Sequence, residues 1–292
     1  MSSTSSQLSV LADHPLEPWT AEVLSLLDAA FRELECPYVL VGATARDILL
    51  VHVYGLTPMR ATRDVDLGVA VESWDRFTAL RSGLLDRGLA EQPGILHRLL
   101  VRSAHAQHPV PVDIIPFGGI AEPGRRVAWP PDATTVMNVA AFEEARATAL
   151  HIQIKAGLLI PVVSLPGLAA LKLIAWMDRQ NSKDASDFFQ ILRKYSQAGL
   201  FDRLYGNALP VLESVQFSHE RAAAILLGRD VRRFSNDHTA AQLAALLSDH
   251  ARLERLVGQM PDGLWDKEKM AEADDLLDLF VRGFNSRPAG SE

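Results

Sequence analysis

Apolar positions return along this chain with two periods, and the change between them outlines its elements. Trp19, Val23, Leu27, Phe31 and Leu34 recur at helical spacing and predict an amphipathic helix over residues 19–35. The β-rich run at 38–41 predicts a strand, closed by Gly42, after which Thr44 is the expected cap of a helix over 45–54. Residues 64–71 begin with strict alternation, a second strand, and are followed by a helix over 72–87 with Trp74, Phe77, Leu80 and Leu84 inward and Gly88 at its C-terminal end. Strands are predicted over 98–102 and 110–117, a loop over 118–135, and a hairpin of 150–154 with 158–163 around Lys155, Ala156 and Gly157. From Ser164, read as a cap, the pattern becomes helical throughout. A helix carries Leu168, Lys172, Ala175 and Arg179 on one stripe, the next starts with Ser182 as cap, and later ones span 218–228, 240–256 and 265–282.

These elements predict an α+β protein: residues 1–16 a solvated, disordered leader, 17–163 a mixed β-sheet domain with flanking helices, 164–284 a C-terminal helical bundle, and 285–292 a disordered tail. A length of 292 residues suits about two domains. No apolar run approaches the ~18 residues of a membrane span, so no membrane partner is expected. The single cysteine, Cys36, excludes an internal disulfide and points to a cytoplasmic setting, with the thiol read as a small buried hydrophobe. Net charge is −7, and Lys and Arg are outnumbered by Asp and Glu both before and after residue 163. Binding along long DNA or RNA rests on neutralising phosphates, so a long nucleic-acid partner is not expected.

Candidate chemistry gathers in residues 38–71. Gly42 permits a tight exit from the strand and close approach of a ligand to the backbone, and the N–H groups of the following helix favour phosphate. Asp64 and Asp66 fall on one face of the second strand, with Cα atoms about 7 Å apart at a rise of roughly 3.3 Å per residue. Carboxylates so spaced can share hard divalent cations that also bind phosphate oxygens. Asp113 sits inside the apolar strand 110–117, where a lone charge is costly and a cation or donor is expected beside it; the competing reading puts it on the open face of an edge strand between Pro111 and Pro116. Lys172 interrupts an apolar stripe, as either a phosphate ligand or a lysine reaching from the rim of the core.

A strand, Gly42-Ala43, a helix with Arg46-Asp47, and a second strand carrying Asp64-x-Asp66 together resemble the core of the polymerase-β-type nucleotidyltransferase superfamily. Within it, the wording Arg60-Ala61-Thr62-Arg63-Asp64-Val65-Asp66-Leu67 most resembles the abortive-infection toxin, AbiEii-like, nucleotidyltransferases. Two departures stand out: Gly42-Ala43 replaces the usual Gly-Gly or Gly-Ser, and the 20 residues between Ala43 and Asp64 exceed the usual spacing. The resemblance implies Mg²⁺ held by Asp64, Asp66 and Asp113, the last as shared ligand or as base. It implies a nucleoside triphosphate met by Gly42, Ala43, Thr44, Arg46, Arg63, Lys172, Arg179 and Lys183. Lys172-Leu173-x-Ala175-x-x-x-Arg179 and Lys183-Asp184-x-x-Asp187-Phe188 match its later motifs, with either Asp184 or Asp187 contacting substrate or orienting Lys172. The implied reaction is Mg²⁺-dependent transfer of a nucleoside monophosphate to a hydroxyl of RNA such as tRNA, or of a protein. Such an enzyme would be the toxin of a bacterial toxin–antitoxin or abortive-infection system, with a cognate antitoxin. The rival readings are a small-molecule, aminoglycoside-type acceptor and a catalytically degenerate protein that binds nucleotide or a partner.

Overall fold

The computed structural model describes residues 8–58, 63–261 and 266–286. Arg60, Ala61, Thr62, Trp265 and the segments 1–7 and 287–292, named in the expectations above, lie outside the described residues. The chain divides into two compact units, residues 1–164 and 165–292.

The first unit runs α1 (Pro18–Glu33), β1 (Tyr38–Val41), α2 (Gly42–Asp47), β2 (Val65–Ala70), α3 (Trp74–Asp86), β3 (Ala90–Glu91), β4 (Arg98–Val101), β5 (Val110–Phe117), β6 (Arg126–Ala128), β7 (Val136–Asn138), α4 (Phe142–Ala147), β8 (Leu150–Lys155) and β9 (Leu158–Val162). Seven strands form one mixed sheet in the order β3-β4-β5-β2-β1-β9-β8, while β6 and β7 pair separately. β2 lies at its centre, antiparallel to β1 and parallel to β5. Val65, Leu67 and Val69 of β2 are fully buried, as are Val39 and Leu40 of β1 and Val112 of β5. This apolar half of the alternation anchors the strands and leaves the other half, starting at Asp64 and Asp66, partly open.

Several elements differ from expectation. The helix after β1 starts at Gly42, with Val41 at the capping position, and continues as a π-helix over Ile48–Val53. Thr44 therefore lies inside the helix, where its hydroxyl donates to the Asp64 carbonyl at 2.6 Å instead of capping. The wider π turns keep Ile48, Leu49, Leu50, Val51 and Val53 all buried. Residues 8–16 are not a free leader: Ser9 bridges Gln153 of β8, and the Val10 and Leu11 N–H groups donate to Gln153 and His52 carbonyls. Part of the expected loop 118–135 forms β6. Cys36 is 5% exposed, and burial pushes its thiol up to about 11, which fits the packing role and removes thiolate reactivity at neutral pH.

The second unit contains α5 (Leu165–Arg179), α6 (Ser182–Lys194), α7 (Phe201–Tyr205), α8 (Leu209–Ser214), α9 (His219–Phe234), α10 (Asp237–Leu247), α11 (His250–Gln259) and α12 (Lys267–Asn285). Asn181 rather than Ser182 caps α6, its side chain accepting from the Lys183 N–H at 2.9 Å. The helix expected over 240–256 is broken because Asp249 caps a new one through the Arg252 N–H at 3.1 Å. α9 and α12 touch backbone to backbone. A Cβ on Gly228 would lie 2.1 Å from the Phe280 carbonyl oxygen, and one on Gly283 would lie 2.0 Å from that of Ile225. No helix among the described residues is long and apolar enough to cross a membrane.

Candidate active site

The turn from β1 into α2 is shaped by one steric fact. Gly42 has φ +71°, and a Cβ there would stand 1.9 Å from Asp66 Oδ2. Only glycine allows this conformation together with that contact. Val41 pairs with Asp66 across β1 and β2, and Asp66 pairs in register with Asp113 across β2 and β5. Gly42, Asp66 and Asp113 are thus brought to one end of three adjacent strands, with Asp64 two residues before Asp66. Asp64 and Asp66 are half-buried, Ala43 and Thr44 are buried behind them, and Arg63 is exposed.

Asp113 is 9% exposed and belongs to an interior strand, since β5 lies between β4 and β2; the edge-strand reading therefore falls. Its charge is met by Arg98, opposite it on β4. Arg98 Nε donates to Oδ1 at 2.6 Å and Nη2 donates to Oδ2 at 2.7 Å, a bidentate fork. The Arg98 pKa is raised, first by this bond and then by the charges of Asp113, Asp64 and Asp66, so one guanidinium senses all three acids. Burial pulls the neighbouring His97 downward, against the opposing pull of Asp113. Its ring lies 5.3 Å from that of the buried Trp129.

Arg98 and His97 escaped the sequence reading. The pattern over 98–102 predicts a strand and no more, and only the register with β5 shows what its arginine faces. Arg46, by contrast, was expected at the nucleotide but is 1% exposed and turned inward, paired with Asp47 at 2.8 Å.

Among the described residues no three His, Cys, Asp or Glu side chains converge as a metal cage. The half-buried oxygens of Asp64 and Asp66 nevertheless suit Mg²⁺, which is commonly held by one or two carboxylates with substrate phosphates completing its shell. Each Asp113 oxygen engaged by Arg98 retains a further lone-pair direction.

In the second unit Lys172 of α5 donates charge to two buried acids of α6. Its Nζ is 2.7 Å from Asp187 and 3.5 Å from Asp184. Arg179, one α5 residue that is largely exposed, forks onto Asp184 through Nε at 2.6 Å and Nη2 at 2.8 Å. Asp184 and Asp187 are 1% and 3% exposed, and the helical spacings i, i+7 on α5 and i, i+3 on α6 bring the four groups together. The direct partner of Lys172 is thus Asp187, and Asp184 is shared with Arg179. Lys183 is exposed and outside this network.

Among solved structures, similarity is found to an antigenic nucleotidyltransferase-like protein from Paracoccidioides brasiliensis, with 18% identity over 71% of this chain and 95% of that one, TM-score 0.43. The antibiotic-resistance factor ANT(2'')-Ia shares 14% identity over 69% of this chain and 98% of its own, TM-score 0.37. The CCA-adding enzyme of Thermotoga maritima, solved with tRNA, shares 10% over 94% and 81%, TM-score 0.26. Likenesses this loose carry no argument about substrate. No curated protein matches the chain. The model of one family, described as nucleotidyl transferase AbiEii toxin, type IV toxin–antitoxin system, matches residues 25–269. That match takes in the strand-turn-helix at Gly42, the Asp64-x-Asp66 strand, Asp113 and the Lys172 network, and this chain belongs to the AbiEii nucleotidyltransferase toxin family.

Proposed function

We propose that the protein is a Mg²⁺-dependent enzyme that transfers a nucleoside monophosphate from a nucleoside triphosphate to a hydroxyl of a structured RNA end, such as that of tRNA, or of a protein. Nucleotidyl transfer itself is the activity of its family. The observation that supports the finer reading is the register of Asp66 with Asp113 beside Gly42, with Asp64 one alternation away on the same face. A divalent cation bound by Asp64 and Asp66 would neutralise triphosphate charge and favour the ionised form of the attacking hydroxyl.

The chain's own residues have separable tasks. Gly42 lets the Asp66 carboxylate sit against the turn, beside the backbone that a phosphate would approach. Asp113 is oriented by the Arg98 fork and is the candidate to accept the proton of the acceptor hydroxyl through its remaining lone pairs. Arg98 offsets one of three clustered negative charges, which lowers the repulsion toward a polyanionic substrate. Within the first unit the exposed Arg63 is a candidate phosphate ligand; within the second, Lys172, paired with Asp187, is the candidate cation for phosphate oxygens, with Arg179 and the exposed Lys183 as further candidates. A cognate antitoxin follows from the kind of system to which the family belongs.

The test is incubation of the protein with each labelled nucleoside triphosphate, Mg²⁺, and total RNA or lysate. The expected result is label on one RNA or protein species, abolished by chelation and by Asp64→Asn or Asp66→Asn. Labelling that persists in both variants would sink the two-carboxylate reading, and label appearing only on a small molecule would replace the acceptor.

A further inference from the structure

The helical unit holds a cavity of about 720 Å³ whose wall carries Arg229, Arg232 and Arg233. None of these residues belongs to the Lys172 network. Arginines in the last turn of a helix complement its dipole, and that accounts for Arg232 and Arg233 near the end of α9. It does not account for Arg229, a turn earlier and half-buried, whose Nε donates to a neutral partner, Ser286 Oγ, at 3.1 Å.

The surroundings of Arg229 disfavour its charge. Burial and the neighbouring guanidinium groups of Arg233, Arg203 and Arg282 push its pKa down, opposed by Asp230. Asp230 is already engaged, taking the fork of Arg203 and the Tyr195 hydroxyl, the latter at 2.7 Å. Arg233 reaches it at only 3.4 Å. Among the described residues Asp237 is the one acid lining the cavity. On the α10 wall Ala240, Ala241 and Ala244 leave room that longer side chains would fill. The space falls within the roughly 300–1,000 Å³ of ordinary ligand pockets.

Three guanidinium groups line an open space in which, among the described residues, Asp237 is the lining acid and Arg233 alone of the three reaches Asp230, at 3.4 Å, so positive charge is in excess there. We propose that this cavity binds a small phosphate-bearing ligand, a nucleoside monophosphate in size, with its phosphate on Arg229, Arg232 and Arg233 and its ring on the alanine face of α10. Guanidinium forks match phosphate oxygens bidentately, which favours phosphate over a monatomic anion. The helical unit then has a binding site of its own, independent of the transfer reaction.

The experiment is calorimetric titration of the full chain, in a chelator, with adenosine monophosphate, with inorganic phosphate, and with a short oligoribonucleotide lacking terminal phosphates. Expected is one-to-one binding of the monophosphate, weaker binding of inorganic phosphate in competition with it, and little binding of the oligonucleotide. The double substitution Arg232→Gln with Arg233→Gln should weaken the monophosphate roughly tenfold or more. Ala244→Trp, which fills the cavity while keeping the arginines, should block it as well. The proposal is overturned by the absence of monophosphate and phosphate binding, or by binding that both variants leave unchanged. Arginine-dependent binding of the oligonucleotide in preference to the monophosphate would also overturn it, making the surface a polynucleotide contact. A lowered melting temperature in the arginine variants together with unchanged monophosphate binding would reduce the cluster to a helix-end device and overturn the proposal.

Discussion

The two charged constellations of this protein are built on opposite terms. At the end of β2 and β5 three carboxylates gather, Asp113 forked by Arg98 and Asp64 and Asp66 half-buried within reach of solvent. On α5 and α6, two carboxylates face two cations, and both acids are almost wholly buried. Buried charge persists only when compensated, so the helical network is balanced. The sheet end gathers three carboxylates, two of them half-buried, where an incoming cation could be bound. Half-buried carboxylates leave room for a cation, whereas the buried pairs hold Lys172 in place for the phosphate role proposed for it.

The largest expected effect separates the two at once. Asp66→Asn keeps shape and removes a charge from the sheet end, so activity should fall by roughly 10²–10³-fold, the scale of losing a transition-state charge contact, while the protein still folds. Isothermal titration with Mn²⁺ should show weakened metal binding in parallel. Gly42→Ala disturbs the same carboxylate by steric means, through a left-handed residue and the overlap with Asp66, and displacement near 1 Å costs about 10²-fold in rate. A fully active Gly42→Ala enzyme would show that Asp66 need not sit where it does.

Lys172→Met attacks the balanced side. It strands Asp187 in the core, and breaking a buried pair costs about 3–5 kcal/mol, to be read by urea unfolding. Adding Asp187→Leu should restore most of that stability without restoring triphosphate affinity. If the single variant unfolds as the wild type does, the network is not the balanced element described above.

Arg98→Met tests the boundary between the two kinds of site. Part of the Arg98 side chain is exposed, so the stability loss should be smaller, about 2 kcal/mol after allowance for solvent screening. Mn²⁺ affinity should increase because the third carboxylate is released. Unchanged metal affinity would show that Asp113 stays apart from the metal whatever Arg98 does.

The smallest effect concerns pH. Burial lowers the His97 pKa below its ordinary 6.5, so the folded state resists a proton that the unfolded chain accepts. The unfolded chain therefore binds more protons as pH drops below that value, and stability falls across the window beneath it. Replacement by Phe should flatten the decline in melting temperature between pH 7 and 5 by a small amount. An identical decline would assign it to other groups.

Much of the architecture was legible in local pattern. Two-residue alternation at Asp64–Leu67 marked a strand, Gly88 marked a helix end and adopts φ +90° there, and the shift to helical periodicity after Ser164 marked the helical region. Boundaries failed where a side chain found a better partner than its position suggested: Thr44 with the Asp64 carbonyl, Asn181 ahead of Ser182, Asp249 within an expected helix. Each is a competition between caps and hydrogen-bond acceptors that intrinsic preference does not settle.

The sequence by itself determined which residues could do chemistry, because residue type and spacing set charge, face and proximity along one element. It marked Gly42, Asp64, Asp66, Asp113, Lys172, Asp184 and Asp187 as groups needing explanation. Only tertiary structure decided their partners: that Asp113 faces Arg98, that Asp66 occupies the space a Gly42 side chain would take, that Lys172 prefers Asp187, and that Arg46 is turned inward. The reason is range. Periodicity orders neighbours within a strand or helix, whereas a cross-strand register or a helix-to-helix ion pair joins residues through long-range packing, where burial energy chooses among pairings that look alike in the chain.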